Sequence, residues 1–259
     1  MFDATEEAAQ NNFCVLSKYA KDLGRALEAQ KLSPLWYRSK FRPDDSLKQV
    51  FGLHPNWSGM KRILEVGSDW SMADLDCESS SSDVKEALEF GNHKGVTEKL
   101  ELLKQLVFKD ITHGYALIAP LPKVQHASQV CHLPMASMNI QKQNSINEHG
   151  RIFGKDCLIH DLSYKWGSGT SVNSRVEKDS LLPCKFGACI KYLTNWAVAA
   201  RKKYPNQKIL CTKIDYKSAY QRCQLNKNTA IQTYAQLPDE NLAIIALRLM
   251  FGGATGPYE

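Results

Sequence analysis

The sequence predicts an α+β fold, with a helical front followed by a mixed back that carries the strands. Three observations support this. Over roughly the first 110 residues, apolar side chains recur at spacings of three and four, the period of a helix with one buried face. From about residue 114 the apolar segments become short, β-branched and bounded by Gly, Pro, Asn and Asp, which is the punctuation of strands. With 259 residues, 43% of them hydrophobic, the chain is long enough to bury a core.

Taken in order, Phe13, Leu16, Ala20, Leu23 and Leu27 predict an amphipathic helix over residues 5–30. A loop around PLWYRSKFRPDD follows. SLKQVFGL and SGMKRILEV then read as two short helices parted by HPNW. The serine cluster CESSSSD (77–83) reads as a linker, because serine side chains compete for backbone hydrogen bonds and bury little. DVKEALEF and VTEKLELLKQLVFKDI read as helices, the second with Val96, Leu100, Leu103 and Leu106 or Val107 on one face. YALIAPLP, RIFGKDCLIHDLS and KILCTKI read as strands. Between the last two, CKFGACIKYLTNWAVAARKKYP predicts a helix that turns Phe186, Ile190, Leu193, Ala197 and Ala200 inward and stops before Pro205.

Composition bounds the setting. The first residues, MFDATEEAAQ, lack the form of a secretory signal, and the longest apolar run, LAIIALRLMF (242–251), is too short to span a bilayer and contains Arg248. Eight cysteines are scattered without a CxxC pair, which points to reduced thiols and an intracellular location, cytoplasmic or nuclear. Metal capture by Cys131–His132, or by Cys184 with Cys189, stays open, although neither has the tight paired spacing usual in zinc sites. The net charge of +6 is unevenly distributed: residues 151–259 hold 16 Lys/Arg against 8 Asp/Glu, and residues 1–150 hold 17 against 19. Lys185, Lys191, Arg201, Lys202, Lys203, Lys208 and Lys213 fall between Cys184 and Ile214 with no acid among them. Such a run suits a nucleic-acid backbone or a solvated helix face.

Within KIDYKSAYQRCQL (213–225), a lone carboxylate, Asp215, follows an apolar run, with Ser218, Ala219 and Tyr220 behind it. Hard divalent cations such as Mg²⁺ take carboxylate oxygens held at rigid strand ends. The small pair Ser218–Ala219 would let a triphosphate approach main-chain N–H groups. Tyr220 would wall the sugar and collide with a ribose 2′-oxygen. A lone acid after a strand is also a common cap or turn residue.

Three segments in order resemble the reverse transcriptase family, most closely the polymerases of retrotransposons. IDYKSAY is similar to its first catalytic motif, an Asp followed five residues later by an aromatic with Ala before it. MFGGATGPYE resembles the next motif: Phe251, Gly252, four residues, then Pro257. GKDCLIHDLSYKWGSGTSVNSRV resembles the fingers segment, with Asp161 and Asn173 at its marked positions.

The resemblance covers roughly 114–259 and implies a helical N-terminal extension (1–110) followed by a partial fingers and palm (111–259). It implies that Asp215, with the Tyr216 carbonyl, binds catalytic Mg²⁺, two ions serving the complete enzyme. Ser218, Ala219, Tyr220, Phe251 and Gly252 would line the incoming nucleotide, Tyr220 excluding ribonucleotides, and Lys155 is the candidate for gripping its triphosphate. Lys185, Arg201, Lys202 and Lys203 are the candidate nucleic-acid contacts. The implied partners are an RNA or DNA primer-template and a deoxynucleoside triphosphate, with no membrane. Two departures qualify this. Cys157 stands where the family commonly has a base, and a thiol lacks the fixed charge and fork of Arg. The sequence ends at Glu259, before the family's paired aspartates, leaving one of three carboxylates. The expectation is therefore a fragment that does not polymerise DNA by itself. The alternative is a non-catalytic nucleic-acid-binding or interaction module with its basic face at 184–214.

Overall fold

A computed structural model describes residues 9–12, 14, 17–18, 22–31, 44–127, 130, 133–146, 150–180, 188–210, 219–238 and 240–253. It is 47% helix and 20% strand, so both element types build the fold and the α+β expectation holds.

Helix α1 (Leu23–Lys31) starts where Asp22 Oδ1 accepts the Arg25 N–H at 2.9 Å, a side-chain N-cap for an otherwise orphan donor. Its Leu23, Ala26 and Leu27 are buried. Helices α2 (Asp44–Phe51) and α3 (Trp57–Val66) flank the HPNW turn as expected, and α3 buries none of its residues.

The serine cluster is not a linker but part of helix α4 (Cys77–Phe90). The physical reason is tertiary. Ser80 and Asp83, three apart on one face, are both buried. Asp83 accepts hydrogen bonds from the Ser168 N–H (2.9 Å), the Ser168 hydroxyl (2.6 Å) and the Thr170 hydroxyl (3.0 Å), while Glu86 takes the Gly167 N–H. These bonds outweigh the local competition that serines offer a helix backbone. After a short α5 (Lys94–Thr97), helix α6 (Leu100–Thr112) buries Leu103 and Val107 on the predicted face.

The main sheet has three antiparallel strands in the order β1–β5–β4: β1 (Ala116–Pro120), β4 (Ala235–Leu237) and β5 (Leu242–Ala246). Strand β5, paired on both edges and buried at every residue, is the centre of the core, which is why LAIIA is continuously apolar rather than alternating. The β4–β5 turn uses Asn241 at φ 52°, a left-handed position that Asn tolerates better than most residues.

Strands β2 (Ser137–Ile146) and β3 (Ile152–Asp161) form a ten-residue antiparallel hairpin in unbroken register, Ser137 opposite Asp161 and Ile146 opposite Ile152. Its distal end is exposed, Ile152 at 72%, whereas Met138, Ile140, Cys157 and His160 at the other end are buried. Short helices α7 (Leu121–Gln125) and α8 (Val172–Arg175) follow β1 and β3. Helix α8 opens with a reciprocal cap in which Ser171 and Ser174 each accept the other's backbone N–H.

Helix α9 (Cys189–Lys203) lies where the sequence placed it and ends before Pro205, but its stripe does not turn inward as expected: Ile190 is 79% exposed and Leu193 58%. Periodicity identified the helix correctly, but it carries no information about what the apolar face meets. Phe186 lies outside the described residues. Helix α10 (Lys227–Ile231) packs on α1 through Ile231, near Gly24.

One hydrophobic cluster runs through Leu23, Trp70, Ala87, Leu103, Ile118, Met138, Leu162, Tyr234 and Ile244, so residues on both sides of position 110 share a core. Cys14, Cys157 and Cys223 are free thiols. No helix among the described residues is long and apolar enough to cross a membrane.

Candidate functional site

A cleft of about 370 Å³ opens between α6, the middle of β3, the turn Tyr220–Arg222 and the Phe251 turn. Its lining brings together three of the expected site residues, Lys155, Tyr220 and Phe251. The Tyr220 and Phe251 rings meet edge to face, with centroids 5.3 Å apart and planes at 82°, the geometry that ring quadrupoles favour. Ala219 precedes this turn and is exposed.

The glycine turn is clamped to the end of β3. The His160 N–H donates to the Phe251 carbonyl at 3.2 Å. Asn173 Nδ2 donates to the Gly252 carbonyl at 2.6 Å and to Ser163 Oγ at 2.7 Å. Gly252 has φ 112°, and a Cβ there would lie 1.9 Å from the His160 carbonyl oxygen. Only glycine supplies both the conformation and the clearance. Residues 154–176 and the glycine turn are thus joined through Asn173 and His160. Asp161 faces another way: it takes a hydrogen bond from the Ser163 N–H and pairs at 2.9 Å with His93 Nε2.

Cys157 is buried, and its thiol lies 3.5 Å from Gln143 Oε1. Lys155 stands two residues along the same strand, therefore on the same face, and is exposed to the cleft. Asp156 pairs with Lys99 at 3.1 Å.

Several lining residues were not anticipated. Lys109, Asp110, His113 and Tyr115 come from α6 and the turn after it, and Gln221 and Arg222 from the turn beside Tyr220. Nothing in the spacing of α6 distinguishes them from an ordinary polar helix face. Burial pushes the Asp110 carboxyl up to about 6, against smaller opposing effects of Lys109, His113 and a 3.4 Å hydrogen bond from Gln221. His160, behind the turn, is pushed down to about 4 by burial and is held neutral, its Nδ1 without a hydrogen-bond partner among the described residues. Arg248 is buried with its guanidinium nitrogens likewise unpartnered among the described residues, and burial pushes it down to about 10.

Two opposite pH effects follow. His160 has a folded value near 4 against an ordinary 6.5, so the folded state binds fewer protons in that window and loses stability as pH falls through it. Asp110, near 6 against 3.8, binds more protons when folded and loses stability as pH rises through its window. Urea midpoints should show His160→Gln gaining about 3 kcal/mol on the parent between pH 6.5 and 4. Asp110→Asn should gain about 2 kcal/mol on the parent as pH rises from 4 to 7, discounted for partial exposure. Parallel pH curves for variant and parent would contradict the assignment.

Asp215, Tyr216, Ser218 and Lys185 lie outside the described residues, as does most of the KILCTKI run. Among the described residues no group of three His, Cys, Asp or Glu side chains is placed to hold a metal. Of the two described cleft carboxylates, Asp156 pairs with Lys99, and Asp110 accepts a hydrogen bond from Gln221 of the same cleft. The magnesium expectation rests on Asp215, which lies outside the described residues. Arg201 is partly engaged as well: its Nη1 donates to the Pro205 and Gln207 carbonyls at 3.0 Å, closing the end of α9. Lys202 and Lys203 are exposed.

No family model, curated protein or solved structure matches the chain.

Proposed function

We propose that the chain is the fingers and the first part of the palm of a retroelement reverse transcriptase, and that its cleft admits a deoxynucleoside triphosphate. The observation that carries this reading is the meeting of Lys155, Tyr220 and Phe251, distant in sequence, around one cleft, with Asn173 clamping the glycine turn beside it. Lys155 contacts the phosphates, taking the place that Cys157 cannot fill. The edge-to-face pair Tyr220–Phe251 forms a rigid wall against which a sugar packs, with the 2′-position towards Tyr220. Lys109 and Arg222 add positive charge to the rim. Magnesium belongs to this reading through Asp215 and the Tyr216 carbonyl, and the full enzyme's RNA-directed DNA synthesis needs two further carboxylates.

Competition between dTTP and UTP, followed by ligand-observed NMR, tests the cleft. Lys155→Ala should weaken dTTP about tenfold or more, the value of a charge-assisted hydrogen bond of about 1.5–3 kcal/mol. Tyr220→Ala should bring UTP and dTTP affinities together. Unchanged binding and discrimination in both variants would refute the assignment.

The alternative, a non-catalytic nucleic-acid-binding module, is favoured by a separate observation, the solvent-facing side chains of α9.

A further inference from the structure

We propose that α9 is a docking surface for single-stranded nucleic acid, on which Tyr192 and Trp196 stack bases while Lys191, Lys202 and Lys203 hold the strand's phosphates. This rests on the nucleic-acid-binding part of the reading above and is independent of nucleotide binding in the cleft.

Helix α9 presents large side chains to solvent: Tyr192 is 69% exposed and Trp196 59%. Tyr192, Trp196 and Lys203 recur at spacings of four and seven, so they share one face. At 1.5 Å per residue, the two rings are about 6 Å apart along the axis, close enough for one strand to meet both. Next to a face of rings, the helix carries Lys191 in its first turn and Arg201, Lys202 and Lys203 in its last.

Charge decides between possible occupants. No Asp or Glu occurs between Asp179 and Asp215, so no acid on the helix offsets these cations. Lysines in the last turn suit the helix dipole, but Lys191 sits at the opposite end, where a cation is unfavourable and where no acidic residue stands. A face shaped only for solubility would carry i,i+4 acid–base pairs, as α3 does with Lys61 and Glu65. A uniformly positive surface with exposed rings matches a polyanion whose bases are free to stack. Single strands offer both features, whereas a duplex hides its base faces.

The test is fluorescence anisotropy of a labelled oligo(dT) 20-mer with the full chain, over a series of salt concentrations. Trp196→Ala and Tyr192→Ala should each weaken binding roughly 5- to 100-fold, the measured range for one base–aromatic stack, while Trp196→Phe should retain most of it. Lys202→Gln with Lys203→Gln should flatten the log–log salt slope by about 1.4, two phosphates' worth on a single strand. A duplex of equal length should bind more weakly. These side chains are exposed, so the far-ultraviolet circular dichroism of the variants should match the parent. Oligo(dT) binding unchanged by Trp196→Ala and Tyr192→Ala would overturn the proposal. So would loss in these variants of self-association alone, which would make α9 a protein interface. Failure of dTTP to bind in the cleft, with Trp196-dependent oligo(dT) binding intact, would sink the polymerase reading and leave this one standing.

Discussion

Gly252→Ala is expected to unseat the Phe251 turn from the end of β3 and, with it, the nucleotide binding proposed for the cleft. The new methyl would stand 1.9 Å from the His160 carbonyl oxygen, and φ 112° is a conformation L side chains rarely adopt. Because the obstacle is a backbone atom of a paired strand, no rotamer change relieves it. The turn must leave, taking with it the His160 N–H bond to the Phe251 carbonyl, the Asn173 bond to the Gly252 carbonyl and the Tyr220–Phe251 ring contact. A cost of roughly 3 kcal/mol is expected, within the range for strain at a special φ. Native-state hydrogen exchange should show it as an acceleration of the His160 amide of about 100-fold. The control is Gly59→Ala in α3, where a Cβ meets nothing within 4 Å and helix propensity predicts about 1 kcal/mol of stabilisation. Equal effects from the two substitutions would refute the steric argument.

The second large effect is expected from Asp83→Ala. This fully buried carboxylate holds residues 168–170 through three hydrogen bonds, and that loop leads directly into Ser171 and Asn173. Removing it leaves the Ser168 N–H without its acceptor, and the Ser168 and Thr170 hydroxyls, 2.7 Å apart, with only each other. With hydrogen bonds to a charged group worth about 1.5–3 kcal/mol each and some relaxation towards water, a loss of about 4 kcal/mol is expected. Asp83→Asn, which keeps one acceptor oxygen, should cost clearly less. Urea unfolding curves give both numbers. A loss under 1 kcal/mol for Asp83→Ala would mean that α4 does not anchor the loop.

The same carboxylate shows why part of the fold was hidden in the sequence. CESSSSD has the composition of a linker, and only residues some 85 positions later, Ser168 and Thr170, turn it into a docked helix. Local patterning succeeded where burial follows from period alone: α6 shows its inner face through Leu103 and Val107, and α2 and α3 are parted by their turn. It failed for β2, SMNIQKQNSI, whose amides and lysine disguise a strand that buries Met138 and Ile140. The central strand β5 is too uniformly apolar for periodicity to distinguish strand from helix.

The ordered motifs pointed to Tyr220, Phe251 and Lys155, which the structure places around one cleft. Nothing pointed to Lys109, Asp110 and His113, because they reach the cleft from a helix that matches no motif. Asn173 was marked only as a motif position, and its clamp on Gly252 depends on the chain folding back over β3.

The central claim is that Asp215 and the described cleft form one nucleotide site. Paramagnetic relaxation by Mn²⁺ in the presence of dTTP tests it directly, using resonances of Lys155, Tyr220 and Phe251 in the parent chain and in Asp215→Asn. The account predicts strong broadening of these three in the parent and its loss in the variant. Broadening that survives Asp215→Asn, or that falls on residues remote from the cleft, would contradict it.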